Sequence, residues 1–227
     1  MCGRFALRTP TKKLVEAFGV EEVPAVEARY NIAPTQSILA VRQSEDGREA
    51  VLLKWGLIPS WAKDDSMSAR LINARSETVT EKPAFREAFK RSRCIIPADG
   101  FYEWQRREGK KQPFFFSMRD ERWFGFAGLW DRWKGEGGEV IESCTILTTE
   151  ANELLKDVHD RMPVILHPES YNEWLDIDTD ARAMESLKEL LMPYPSSEMT
   201  AYPVSAQVNS PQNQGEELIT RMTVNSA

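Results

Sequence analysis

A chain of 227 residues, 41% hydrophobic and with seven tryptophans, can bury a sizeable core and reads as one domain spanning 1–227. It has no apolar run of about 18 residues and no basic segment leading into a hydrophobic one, so neither a membrane span nor a signal peptide is expected and a cytoplasmic location is. Three cysteines without a CxxC pair and only two histidines argue against a disulfide framework and a structural zinc site, and the formal charge of −6 is uneven: residues 1–100 carry 16 Lys/Arg against 13 Asp/Glu, residues 101–227 carry 13 against 22. A local basic patch in the first part suits a short nucleic-acid contact better than tight nonspecific duplex binding.

In chain order, TPTKKLVEAFG predicts a first helix, with Thr9 as cap, Pro10 in the first turn, Leu14, Val15 and Phe18 on one face, and Gly19 as the stop. QSILAVRQ and EAVLLKWGLI flank the turn signal EDG and read as a hairpin or neighbouring strands. PSWAKDDSMSARLINARSET keeps no helical period and is a long irregular segment, the kind that carries function when ordered. KPAFREAFKRS restarts a helix with Pro83 in its first turn. CIIPADGFYEW, KQPFFFSM and RWFGFAGLW predict antiparallel strands joined by EGK and RDE turns. ESCTILTT is a strand running into a helix over TEANELLKDV that ends near His159; HPESYNEWL and DARAMESLKELLM are helices, the second with Met184, Leu187, Leu190 and Leu191 inward. Strands and helices without βαβ alternation indicate an α+β fold around a curved, largely antiparallel sheet.

The opening MCGRF draws attention to Cys2. Removal of Met1 would expose a 1,2-aminothiol whose amine titrates at roughly 7.7–8.0 and whose thiol titrates near ~8.5, and the natural target of that pair is an aldehyde. The plainer reading of Cys2 is a small buried hydrophobe. Gly3 permits close backbone approach, and Arg4 is a permanent cation that could favour thiolate or hold a phosphate. Glu103, in PADGFYEW, shares a strand face with Phe101; it is either a carboxylate raised by an apolar wall or a solvent-facing residue of an amphipathic strand. His159, beside Asp160 and Arg161, is a proton-transfer candidate or a structural histidine. Asn73 and Arg75 in NARSET could donate to an oxyanion or phosphate or serve as ordinary loop residues, and Trp61 could stack on a base or form a wedge, whereas Trp55 is expected to be core.

Together, MCGRF, RYNIAPTQ (29–36), WGLIPSWAKD (55–64), NARSET (73–78), PADGFYEW (97–104), FAGLW (126–130), HDRMPVIL (159–166) and YPVS (202–205) resemble the SOS response-associated peptidase (SRAP) family over nearly the whole chain. The resemblance implies a single α+β domain with a barrel-like sheet flanked by short helices. It also implies capture of abasic sites in single-stranded DNA as a covalent thiazolidine on Cys2 after loss of Met1. By the same resemblance, Asn73 positions the sugar, Glu103 is acid and base beside the Cys2 amine, and His159 transfers a proton to open the sugar ring. Arg4, Asn31, Arg75 and Thr148 hold phosphates or sugar, and Pro34 and Trp61 form a wedge between bases. A monomer, nucleoid-associated when bound to DNA and needing neither metal nor cofactor, is expected. An imine left unclosed by the thiol would cut the strand as a lyase. Two other readings are a thiol (auto)peptidase, with Cys2 as nucleophile, His159 as base and Glu103 as orienter, and a noncatalytic reader of modified or single-stranded DNA.

Overall fold

The computed structural model describes residues 2–107, 109–177 and 180–222. In chain order it comprises β1 (Phe5–Leu7), α1 (Thr11–Phe18), β2 (Arg29–Ile32), β3 (Ser37–Ser44), β4 (Gly47–Trp55), β5 (Asn73–Arg75), α2 (Arg86–Arg91), β6 (Arg93–Ala98), β7 (Gly100–Arg107), β8 (Lys110–Met118), β9 (Phe124–Lys134), β10 (Val140–Glu150), β11 (Arg161–Pro163), β12 (Ile165–Leu166), α3 (Tyr171–Leu175), α4 (Ala181–Glu189) and β13 (Met199–Pro203). Five of these strands close a barrel in the order β10-β4-β3-β6-β9, with β9 pairing back onto β10; β4 and β10 run parallel and the other pairs antiparallel. β10 outlasts its barrel partners, and its far half pairs with β5 and β11. The fold is therefore α+β with a largely antiparallel core, as the strand and helix patterns indicate.

A second, wholly antiparallel sheet has the order β13-β8-β7-β1-β2. Its inner face meets the barrel through aromatic edges: Phe5 stands 5.3 Å from Trp55 and 5.8 Å from Phe126, and Phe101 stands 6.1 Å from Phe126. The outer face buries Ala6, Tyr102 and Phe115 under Val204, Val208 and Leu218 of the C-terminal segment. Because side chains alternate along a strand, Phe5 and Phe101 face the barrel while Ala6 and Tyr102 face that segment.

Several local expectations are corrected. Residues 97–104 are not one strand: the chain turns at Asp99, leaving β6 in the barrel and sending β7 into the second sheet. The 119–121 turn likewise links β8 and β9, which lie in different sheets and do not pair. α1 forms and stops at Gly19 in the left-handed region, but Thr9 does not cap it, since its hydroxyl donates to Asp99 instead. α2 begins at Arg86, so Pro83 lies in the preceding turn. The expected helix over 149–158 is a strand end followed by turns: the Asn152 side chain accepts from the amides of Leu154 and Leu155, and Ala151 N–H donates to the Asp160 carbonyl, closing residues 151–160 into a loop.

Candidate active site

β1 places the nucleophile candidate. Tyr102 N–H donates to the Arg4 carbonyl at 2.9 Å, and the pairing of Phe5 with Phe101, continued one step outward, sets Gly3 opposite Glu103. Glu103 shares the inner face of β7 with Phe101 and is only 3% exposed, while Cys2, ahead of β1 and out of its alternation, is fully buried in the main core with Phe5 and Phe101, close enough to Glu103 to feel its charge. Burial, then the neighbouring Glu103 carboxylate, push the Cys2 thiol far up, although the Arg4 amide donates to it. Burial also raises Glu103, against a lowering by His159. A resting thiolate is therefore disfavoured, and the carboxyl is tuned toward acid and base work.

His159 sits at the end of the 151–160 loop, which is tied to β7 by Gln105 Nε2 donating to the Asp157 carbonyl at 3.0 Å. Its ring is 27% exposed, with Nδ1 3.0 Å from Asp160 Oδ1 and 3.0 Å from the Arg161 amide that donates to it. The amide contact needs a proton-free Nδ1 with hydrogen on Nε2, and the carboxylate contact needs a protonated Nδ1. Two contacts belonging to different proton states suit a group that takes and returns a proton.

Asn73 and Arg75 lie on β5, paired in parallel with Ile146 and Thr148 of β10. Asn73 Nδ2 makes one long bond, 3.4 Å to the Ile146 carbonyl, while its Oδ1 is buried without a partner. A buried amide oxygen without a partner costs about 1–3 kcal/mol and here leaves an acceptor open on β5. Arg75 is exposed. Arg161, to which sequence reasoning gave no role, connects this strand to His159: its guanidinium grips Glu77 at 2.6 and 2.9 Å and donates to the Thr148 carbonyl at 2.6 Å. Its position two residues after His159 is visible in the sequence, but Glu77 and Thr148 as partners are not. The structure thus sets Cys2 beside Glu103, places Glu103 within the electrostatic reach of His159, and joins His159 through Arg161 to Thr148 and the strand that carries Arg75 and Asn73.

Other expected residues sit differently. Thr148 is fully buried, its hydroxyl 3.4 Å from the Ala74 carbonyl, so it offers no surface to a phosphate. Asn31 is also fully buried and Arg4 is half-buried; both are bonded to the C-terminal segment on the outer face, and the Arg4 guanidinium does not flank the thiol. Pro34 precedes Thr35, a β-branched residue held at φ 71°, a strained conformation of the kind that collects at functional loops. Trp61 is 59% exposed, its Nε1 3.4 Å from the Pro83 carbonyl, and so is not core. A neighbouring cleft of about 430 Å³ carries Glu77, Glu81 and Glu150 against Lys188 and would repel a phosphodiester. Among the described residues no group of His, Cys, Asp and Glu is arranged to hold a metal, and no helix is long and apolar enough to cross a membrane.

The family model described as SOS response associated peptidase (SRAP) matches residues 1–211. The abasic site processing protein YoaM of Bacillus subtilis is 45% identical, over 96% of this chain and 97% of its own length. The abasic site processing protein HMCES of Gallus gallus is 36% identical, over 79% of this chain and 60% of its own. A crystal structure of a protein from Bacteroides thetaiotaomicron superposes with a TM-score of 0.87 at 26% identity, over 98% of this chain and all of that one.

Proposed function

The chain belongs to the SOS response associated peptidase family, and on that footing we propose that it processes abasic sites in single-stranded DNA by covalent capture on Cys2, in the response to DNA damage. The observation that carries this reading is the buried juxtaposition of Cys2 with a raised Glu103 at the seam between sheet and barrel. Loss of Met1 frees the α-amine. His159 transfers the proton that opens the deoxyribose ring, and Asn73 hydrogen-bonds the sugar oxygen. The Cys2 amine adds to the aldehyde carbon, giving a carbinolamine. Glu103 first accepts a proton from the ammonium and then returns it to the departing hydroxyl, which leaves as water. The resulting imine carbon accepts the thiol sulfur while the thiol proton passes to nitrogen, so aldehyde plus aminothiol become thiazolidine plus water.

Amine-first chemistry fits a thiol held protonated by burial, whereas a thiol peptidase needs a lowered one. If the sulfur fails to close the ring, the imine is left to β-elimination, the lyase outcome. Arg75 and Trp61 supply the exposed strand contacts, with Pro34 beside the strained Thr35 as the wedge.

The test mixes protein lacking Met1, checked by mass, with single-stranded DNA bearing one abasic site, followed by a denaturing gel. A heat-stable shifted band is expected without borohydride, absent with intact DNA and absent in Cys2→Ala. No covalent band from protein with a free N-terminal cysteine overturns the reading.

A further inference from the structure

The outer face of the second sheet carries a device that the chemistry above does not use. Tyr102 and Trp104 point there because they alternate with Glu103 along β7, and Arg4, just before β1, joins them as the neighbour of inward-facing Phe5. Each outward side chain is fastened. Arg4 Nη1 donates to the Val208 carbonyl and to Asn31 Oδ1, both at 2.7 Å. Asn31 Nδ2 donates to the carbonyls of Val208 at 3.2 Å and of Ser210 and Asn213 at 2.9 Å. Gln214 Nε2 returns a bond of 2.9 Å to the Asn31 carbonyl, Tyr102 Oη donates to the Tyr30 carbonyl at 2.6 Å, and Trp104 Nε1 donates to Asn209 Oδ1 at 2.7 Å. Val208, fully buried, pins this segment to the sheet.

We propose that residues 206–214 form a latch holding β1, β2 and β7 in register, and that Asn31 and Asn209 are positioning residues for the Cys2–Glu103 pair, not nucleic-acid contacts. The mechanics follow from the register. The Arg4 amide donates to the Cys2 sulfur, and the Arg4 carbonyl accepts from Tyr102, so tethering the Arg4 side chain fixes both the thiol and the pairing beside it. Tyr102 and Trp104 flank Glu103, and their outer-face bonds fix its orientation from both sides. Asn31 spends its amide entirely on Arg4 and three carbonyls and, with no exposed surface, keeps nothing for a phosphate.

Asn31→Ala and Asn209→Ala test this, the latter at an exposed position where truncation leaves the core intact. Iodoacetamide labelling, resolved peptide by peptide without DNA, is expected to modify Cys2 roughly tenfold faster than in the parent, with no change at buried Cys94 and Cys144, which a general loosening would expose equally. The capture readout rests on the proposed abasic-site chemistry. Its rate at saturating abasic single strand is expected to fall about tenfold, while noncovalent affinity in the Cys2→Ala background holds within about twofold. The acid limb of the capture profile moves to lower pH as water admitted beside Glu103 relieves its desolvation. Unchanged labelling in both variants overturns the latch. So does an Asn31→Ala protein that loses noncovalent affinity for single-stranded DNA well beyond twofold while Cys2 labels at the parental rate, the signature of a direct contact to the strand by a neutral amide. A parent that captures nothing while the variants label faster sinks the capture reading and leaves the latch standing.

Discussion

At the scale of a residue, Glu103 is held where its ionised form is costly. Burial raises its pKa above the ordinary 4.5, so between that value and the raised one the folded state binds more proton than the unfolded state. Stability attributable to this group is complete below the unfolded pKa and is lost as pH rises through the folded one. Glu103→Gln removes the charge at every pH. It is expected to melt about 2–4 °C higher than the parent at pH 7, with the difference closing near pH 4, and to slow capture by about 10²- to 10⁴-fold. Calorimetry across pH with single-turnover assays checks both halves; a variant less stable at pH 7, or as fast as the parent, contradicts the role. The position of Glu103 was legible because strand alternation places it with Phe101. The bonds of Asn31 were not legible because its partners lie 177–182 residues away and are backbone carbonyls, which residue type does not announce.

At the scale of elements, Asp99 is the hinge between the two sheets. Its carboxylate, 4% exposed, accepts from Arg8 N–H at 2.5 Å, Thr9 N–H at 2.8 Å and the Thr9 hydroxyl at 2.5 Å, fastening the β6–β7 turn to the end of β1. Asp99→Ala leaves two amides and a hydroxyl without their acceptor and is expected to cost about 3 kcal/mol in urea unfolding at pH 7. Asp99→Asn, which keeps one carbonyl oxygen, should lose less; equal losses would show that charge and not the bonds holds the corner. Local chemistry made the β3–β4 hairpin readable, since EDG supplies its turn and the flanking runs are β-rich. CIIPADGFYEW, read as one strand, instead turns at Asp99 and divides between the two sheets. At 149–158 a helical period was overruled by Asn152, whose Nδ2 is bound to the Tyr194 carbonyl at 2.7 Å.

At the scale of the molecule, barrel closure was not legible: β9–β10 is a hairpin across residues 135–139, but β6 meeting both β3 and β9, and β4 running parallel to β10, are long-range pairings that no local pattern encodes. Charge, in contrast, was readable and constrains recognition. A chain of net charge −6 with an acidic cleft beside its site cannot hold DNA by its overall field, so attraction must be local and the number of neutralised phosphates small. Arg75 and Trp61 are exposed and contribute by different physics. Loss of a phosphate contact lowers both affinity and its salt dependence, whereas loss of a stacking surface lowers affinity alone. In a Cys2→Ala background, which prevents capture, Arg75→Ala is expected to flatten the slope of log affinity against log salt by about 0.7 for single-stranded DNA. Trp61→Ala is expected to cost about 1–3 kcal/mol with the slope unchanged. Fluorescence anisotropy between about 50 and 200 mM salt separates the two. If Trp61→Ala binds as the parent does, the tryptophan is no base platform; if Arg75→Ala keeps the parental slope, the phosphate contact lies on another cation and the path of the strand must be redrawn.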